Sequence, residues 1–224
     1  MKVICFDALG TLIDTSHVIG ELNKRFPGNG SEISQLWRTN QIDYSRLRSM
    51  ANQYKPFDQI TRDALHAALS QTGIQANISE IDEIMAEYLR AVAFKDVFNF
   101  LNTNDFPWAI VTNANREMIL PMLTNAGISI GDSDLITSDQ VKSFKVSPEI
   151  YGIAWQWARA HGAAEMSEVL FVSANQWDAI AATWFGFTTC WVNRFDHAHD
   201  FLDARPTFEI STLEAISQLI GSST

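Results

Sequence analysis

The amino-acid sequence predicts an α/β fold, with a Rossmann-like parallel sheet core flanked by helices and an inserted all-helical cap. Two observations predict it. Short apolar runs alternate with amphipathic helical patterns, which is typical of a parallel sheet covered on both faces. One stretch of roughly eighty residues after the first run has helical patterns and no strand pattern. Residues 1–14 and 95–224 are therefore assigned to the core, and residues 15–94 to the cap.

Four apolar runs are the predicted core strands. The first, Val3–Phe6, ends abruptly at Asp7, and a glycine turn at Gly10 follows. A buried strand that ends in a carboxylate and a glycine turn commonly presents chemistry at the carboxyl edge of such a sheet. The other three runs cover residues 108–111, 169–172 and 189–192.

Two helices are predicted within the cap. In the later one, Ser79 and Asp82 have the spacing of a capping box, and apolar side chains follow at helical intervals. The earlier one has mixed polarity. Its recurring positions are Leu36, Asn40, Tyr44, Leu47 and Met50.

Composition narrows the class of protein. The 224 residues include 26 acidic and 16 basic side chains, for a net charge of −10. A nucleic-acid or anionic-membrane binder needs a basic surface, so neither partner is expected. No apolar run approaches the ~20 residues that span a bilayer. Both cysteines, Cys5 and Cys190, lie in apolar segments, as expected for reduced thiols in a cytoplasmic protein.

Polar residues lie at the ends of the predicted strands, at positions where the packing of an apolar core does not require them. The carboxyl ends of neighbouring parallel strands meet at one sheet edge, so we expect these residues to converge. Lys145 lies just before Ser147 and Pro148, which have the types expected at N-cap and N1 of a helix. Asn175 and Asp178 also have the spacing of a capping pair. The converging residues are Asp7, Thr11, Thr112, Asn113 and 173–178.

Two of these segments resemble a known family. Residues 6–14, Phe-Asp-Ala-Leu-Gly-Thr-Leu-Ile-Asp, resemble the first motif of the haloacid dehalogenase superfamily. Residues 171–178, Phe-Val-Ser-Ala-Asn-Gln-Trp-Asp, are similar to the signature of its L-2-haloacid dehalogenase branch, as are residues 36–38 and 144–151. The first motif alone indicates only the superfamily, whereas the Ser-x-Asn-x-Trp-Asp arrangement is specific to the branch. The resemblance spans nearly the whole chain.

The resemblance implies hydrolysis of short L-2-haloalkanoic acids to 2-hydroxy acids and halide, through an ester on an aspartate and without a metal or organic cofactor. Asp7 would be the nucleophile, Lys145 would keep it charged, and Arg38 would approach the leaving halide. Ser173 and Asp178 would position Lys145 and the hydrolytic water. Asn175 would shape the halide pocket. The implied substrate-binding residues are Leu9, Gly10, Thr11, Thr112, Asn113, Phe57, Tyr151 and Trp177.

Departures from the family pattern leave two alternatives open. Leu9 stands where the branch usually has an aromatic residue, and Val146 where it usually has proline. Phosphatases of the superfamily have a second aspartate at position 9, which Leu9 cannot replace as a general acid. A metal-dependent phosphatase is therefore the weaker enzyme alternative. The other alternative is a catalytically silent member that binds a carboxylate or a protein. A homodimer through apolar helix faces, such as residues 119–123, is also a candidate.

Overall fold

The computed structural model describes residues 1–221. The strands are β1 (Val3–Phe6), β2 (Ile13–Asp14), β3 (Val92–Ala93), β4 (Trp108–Thr112), β5 (Leu135–Thr137), β6 (Val169–Ser173), β7 (Thr188–Val192) and β8 (Phe208–Ile210). Six of them form one sheet in the order β5-β4-β1-β6-β7-β8, and every pair in it is parallel. The predicted fold class is confirmed.

Helices cover both faces of this sheet and form the cap. The helices are α1 (Val18–Arg25), α2 (Gly30–Met50), α3 (Phe57–Gln71), α4 (Ile78–Tyr88), α5 (Lys95–Thr103), α6 (Arg116–Asn125), α7 (Ser138–Val141), α8 (Pro148–Ala160), α9 (Gln176–Phe185) and α10 (Ile216–Gly221). Helices α1–α4 lie between β2 and β3 in the chain. The boundaries of core and cap at residues 14 and 95 stay a prediction, and residues 222–224 of the predicted core lie outside the described part.

The four predicted strands correspond to β1, β4, β6 and β7, and the sequence analysis missed the other four. Strands β5 and β8 have only three residues each, too few to show a pattern. Strands β2 and β3 form a two-residue antiparallel ribbon in which Ile13 pairs with Ala93. The expectation that residues 15–94 contain no strand was therefore wrong, because β3 lies within them.

The predicted capping box of α4 was also wrong. The N-cap is Asn77, whose Oδ1 accepts a hydrogen bond from the backbone N–H of Glu80. The Glu80 carboxylate accepts one from the Asn77 backbone in return. Helix α4 consequently begins at Ile78, before Ser79. Asparagine and serine are equally good N-cap residues. Residue type alone therefore does not distinguish Asn77 from Ser79 as the start of the helix.

Alternate residues of β1 pack on opposite sides of the sheet. Ile4 and Phe6 join the apolar cluster that continues into the cap, whereas Val3 and Cys5 join a second cluster against α8. Both cysteines are buried and unpaired, and burial raises the pKa of each thiol to about 12. Within residues 1–221, no helix has the length and hydropathy needed to cross a bilayer.

Candidate active site

Asp7 follows β1 directly and lies at the carboxyl edge of the sheet. Its backbone N–H donates to the Val172 carbonyl of β6 (2.9 Å), which holds the residue in line with the strand. The residue is 6% exposed. Its Oδ2 accepts hydrogen bonds from Thr11 Oγ1 (2.9 Å) and Asn175 Nδ2 (2.8 Å), with Ser173 Oγ at 3.4 Å. One carboxylate oxygen is therefore surrounded by three donors.

Lys145 supplies the charge that balances Asp7. Its ammonium donates to Asp7 Oδ1 (2.9 Å) and to Asp178 Oδ2 (2.8 Å), and the side chain is 1% exposed. Burial lowers the pKa of Lys145, but the two carboxylates outweigh burial, so its pKa lies above the ordinary lysine value. Its backbone N–H donates to Asn113 Oδ1 (2.7 Å), which anchors the loop between α7 and α8. Lys145 is thus a buried cation held directly beside Asp7.

Asp178 is the second carboxylate that Lys145 contacts, and Tyr151 contacts Asp178 in turn. Tyr151 donates its hydroxyl proton to Asp178 Oδ1 (2.6 Å), and both side chains are buried. Burial raises the pKa of Asp178 more than Lys145 lowers it, and Asp7 raises it further. Burial also raises the pKa of Tyr151, so its hydroxyl remains a donor. Asp178 is accordingly a better proton acceptor than an exposed aspartate.

The loop after β6 ties the remaining groups to Asp7. The Ala174 N–H donates to Thr11 Oγ1 (2.8 Å), and the Asn175 N–H donates to Ser173 Oγ (3.1 Å). Asn175 is the N-cap residue of α9, but its side chain makes no capping hydrogen bond. The expected capping role was wrong because the amide is committed to the site.

Arg38 brings the cap to this edge of the sheet. One guanidinium nitrogen donates to Asn175 Oδ1 (3.0 Å), and the other donates to Gln41 Oε1 (2.7 Å) on the next turn of α2. Asn175 therefore contacts Asp7 with its amide nitrogen and the cap with its amide oxygen.

An inner cavity lies between the cap and Asp7. It leaves about 20 Å³ for the centres of water molecules, enough for about one. The lining residues are Asp7, Leu9, Arg38, Ile42, Ser45, Phe57, Thr112, Asn113, Asn175 and Trp177.

Eight of the predicted site residues therefore meet at the inner cavity. Five others lie behind Asp7 and hold it or one another: Thr11, Ser173, Lys145, Asp178 and Tyr151. Gly10 is outside too, and its N–H donates to the Ile13 carbonyl (2.8 Å), so it is not available to a substrate. The expectation that Gly10, Thr11 and Tyr151 line the substrate pocket does not match their positions in the structure.

Sequence reasoning missed three cap residues, Gln41, Ile42 and Ser45. They follow Arg38 by three, four and seven positions, which places all four on one face of α2. The positions that recur at helical spacing in the predicted helix include Leu47 and Met50, which are exposed in the structure. The signal was the helical spacing from Arg38, but polar side chains on the inward face made that face resemble a solvated one.

The residues around Asp7 do not suit a divalent cation. A carboxylate pair such as Asp7 and Asp178 could supply oxygen ligands, but the Lys145 ammonium occupies the space between them. Across residues 1–221 there is no group of three or more His, Cys, Asp or Glu side chains placed to hold a metal ion.

Comparison with known proteins identifies the family of this chain. The family model of haloacid dehalogenase-like hydrolases matches residues 1–186, and the chain belongs to that family. Its relatives include the (S)-2-haloacid dehalogenase of Pseudomonas sp. strain YL, which is 36% identical over 98% of this chain and 94% of the relative.

Solved structures give the same picture. A crystal structure of an L-2-haloacid dehalogenase superposes with a TM-score of 0.92 at 35% identity, covering 99% of each chain. The L-2-haloacid dehalogenase from Xanthobacter autotrophicus with chloropropionic acid covalently bound superposes with a TM-score of 0.90 at 26% identity, covering 100% of both chains.

Proposed function

We propose that this protein is a hydrolytic dehalogenase that converts short L-2-haloalkanoic acids into 2-hydroxy acids and halide through an ester on Asp7. The observation that carries the proposal is the buried contact of Lys145 with Asp7, opposite a cap arginine at the same cavity. A carboxylate held ionised by a fixed cation is a nucleophile, and a guanidinium across the cavity stabilises a departing anion. The haloacid dehalogenases among the relatives support the substrate class.

In the first step, an Asp7 oxygen attacks carbon 2 of the substrate from the side opposite the halogen. The new C–O bond forms as the C–halogen bond breaks, and the halide leaves with the bonding electrons beside Arg38. Thr112 Oγ1 accepts from the Ala114 N–H (3.2 Å), so its own proton can be donated to the substrate carboxylate. The Asn113 amide nitrogen supplies a second donor at the cavity wall.

In the second step, water attacks the carbonyl carbon of the ester. Negative charge then develops on the carbonyl oxygen, for which Oδ2 is suited because three donors surround it. Asp178, whose pKa burial raises, takes the proton from water, and the proton passes to the departing 2-hydroxy acid oxygen. The water oxygen stays in Asp7, and a second proton is released when that carboxyl group ionises.

The two alternatives lack a supporting observation. A phosphatase would need an acid at position 9, where Leu9 lines the cavity, and a cation in the space that the Lys145 ammonium fills. A silent binding protein would have no use for a buried nucleophile with a complete set of donors.

Chloride release tests the proposal. We expect the wild type to release chloride from L-2-chloropropionate and not from the D enantiomer, because attack must come from the side of Asp7. Asp7→Asn should release none. Asp14→Asn, an equally small change on a carboxylate outside the inner cavity, is the matched control and should remain active. No chloride from the wild type, or undiminished release by Asp7→Asn, contradicts the proposal.

The ester intermediate has its own test. A single turnover in H₂¹⁸O should give unlabelled 2-hydroxy acid, because the product oxygen comes from Asp7. Label in the product of the first turnover would mean that water attacks the substrate directly.

We also propose that the enzyme acts in the cytoplasm and as a homodimer. The helix face considered for the dimer is not suited to it, since Ile119, Met122 and Leu123 are buried in the core and Leu120 is 38% exposed. A dimer would use another surface. Light scattering on the purified protein gives the oligomeric state directly.

A further inference from the structure

Gln41 has a fully engaged side chain on the cap side of the site. It is 2% exposed, and its Oε1 accepts from an Arg38 guanidinium nitrogen (2.7 Å). Its Nε2 donates to Thr61 Oγ1 (2.7 Å), and Thr61 donates onward to the Phe57 carbonyl (2.7 Å). Rotating the amide by half a turn would set a nitrogen against the guanidinium, so these partners fix its orientation.

Arg38 connects this chain of hydrogen bonds to the nucleophile. Its other guanidinium nitrogen donates to Asn175, whose amide nitrogen donates to Asp7. The guanidinium is therefore fastened at both ends, by Asn175 in the core and by Gln41 in the cap. Without Gln41, the contact with Asn175 would be the remaining hydrogen bond described for this side chain.

Gln41 itself stays away from the reacting atoms. Arg38 lines the inner cavity and also an outer cavity of about 240 Å³, whose walls include Gly10, Trp37 and Tyr88. Gln41 lines only the outer cavity. Gln41 can therefore act on the reaction only through its partners, and of these Arg38 is the one that brings a charged group to the inner cavity.

We propose that Gln41 is a positioning residue that aims the Arg38 guanidinium at the departing halide, an inference that rests on the proposed dehalogenation. As the Asp7 oxygen bonds to carbon 2, the electrons of the C–halogen bond move onto the halogen, and the guanidinium must already face it. An amide holds the guanidinium without opposing its charge. A carboxylate in the same place would pair with it and weaken its attraction for halide.

The choice of leaving group gives a specific readout. Chloride is a poorer leaving group than bromide, so the chloro substrate depends more on charge stabilisation at the halogen. Loss of Gln41 should therefore slow the chloro substrate more than the bromo substrate. A merely structural defect would slow both equally.

The experiment measures kcat and KM for L-2-chloropropionate and L-2-bromopropionate with three variants. Gln41→Leu removes both hydrogen bonds. Gln41→Glu keeps the shape and the acceptor toward Arg38 but adds a charge, and it covers the case in which Gln41→Leu does not fold. Asn40→Leu is the matched control, because Asn40 is a buried amide on the same helix that donates to Gln71 (3.0 Å) instead of Arg38.

We expect both Gln41 variants to lower kcat for the chloro substrate by roughly ten- to a hundredfold with little change in KM. The bromo-to-chloro ratio of kcat should rise at least about threefold in them and stay at the wild-type value in Asn40→Leu. An unchanged ratio in both Gln41 variants of an active enzyme overturns this inference alone. No halide release by the wild type overturns the proposed function and this inference with it.

Discussion

The two walls of the inner cavity are built differently. On the core wall, Asp7 accepts hydrogen bonds from four side chains that come from three segments of the core. On the cap wall, Arg38 reaches the core through one hydrogen bond to Asn175. The core contacts are mostly buried and come from residues at or near strand ends, whereas the cap contact is a single part-buried hydrogen bond. Asp7 is thus held by several contacts, whereas Arg38 is held by few.

Because the walls differ in this way, substitutions on the two walls should differ in how they affect the stability and the activity of the protein. A change on the core wall leaves buried charges or donors without partners, so it should affect folding and catalysis together. A change on the cap wall leaves the buried ion pairs intact, so it should affect mainly catalysis.

Lys145→Met should have the largest effect. Two buried carboxylates lose their cation, which we expect to cost about 3–5 kcal/mol of unfolding free energy. Halide release should fall roughly 10⁴-fold, because Asp7 loses the cation that contacts and orients its carboxylate. Denaturant unfolding and chloride assays measure the two effects. Lys142→Met is the control, since Lys142 lies over the Tyr54 ring and does not line the inner cavity. Activity within tenfold of the wild type would refute the role of Lys145.

Arg38→Lys should reduce activity with little loss of stability. Lysine keeps the positive charge but cannot contact Gln41 and Asn175 in the geometry of the planar guanidinium. We expect kcat to fall about 10²-fold and the free energy of unfolding to change by less than about 0.5 kcal/mol. A loss of stability comparable to that of Lys145→Met would remove the contrast between the walls.

Thr11→Val should have a smaller effect on catalysis and a clear effect on stability. The hydroxyl donates to Asp7 and accepts from the Ala174 N–H, so valine leaves that buried N–H without its partner, at about 1–3 kcal/mol. Because Asn175 and Ser173 still donate to Oδ2, we expect kcat to fall only about tenfold. Thr11→Ser keeps the hydroxyl and should recover most of both losses. Equal defects in the serine and valine variants would show that the hydroxyl is not the cause.

The dependence of activity on pH tests whether the groups that titrate during catalysis all lie on the core wall. Burial raises the pKa of Asp178, so activity should fall on acidification at a pH above the usual range of an aspartate. Burial lowers the pKa of Lys145 but its two carboxylates raise it more, so Lys145 stays charged until the pH exceeds the ordinary lysine value. Its contribution to stability is complete below that ordinary value and is lost as the pH rises through the raised one.

The Arg38→Lys variant should show the same acid limb as the wild type, because Arg38 does not contact Asp178 or Lys145. Profiles of kcat against pH for both proteins measure this. If the acid limb of the variant lies at a different pH from that of the wild type, the residue that titrates depends on the cap wall as well as on the core wall.

How much of the site could be predicted depended on where each residue lies in the chain. Asp7 and the segment 173–178 directly follow strands, so strand ends alone located them. Lys145 lies in a loop and was noticed beside a predicted helix start, but its role required the family resemblance. Arg38 lies on a cap helix, where a cation is ordinarily solvated, and it required the resemblance altogether. Gln41 and Ser45 were missed because their inward-facing positions are polar. Tyr151 was predicted at the substrate pocket, but it supports Asp178 from the core.

The sequence by itself determined the sheet, the inserted helices and the chemistry at the strand ends. These follow from local signals, namely apolar runs, helical spacing and polar residues at the points where strands end. Only the tertiary structure decided which side chains face the cavity, which stand behind Asp7, and that Asn175 joins the two walls. Those outcomes depend on contacts between residues more than a hundred positions apart, such as Arg38 with Asn175 and Lys145 with Asp7. No local pattern carries that information, because packing sets the direction of each side chain only after the cap and the sheet have come together.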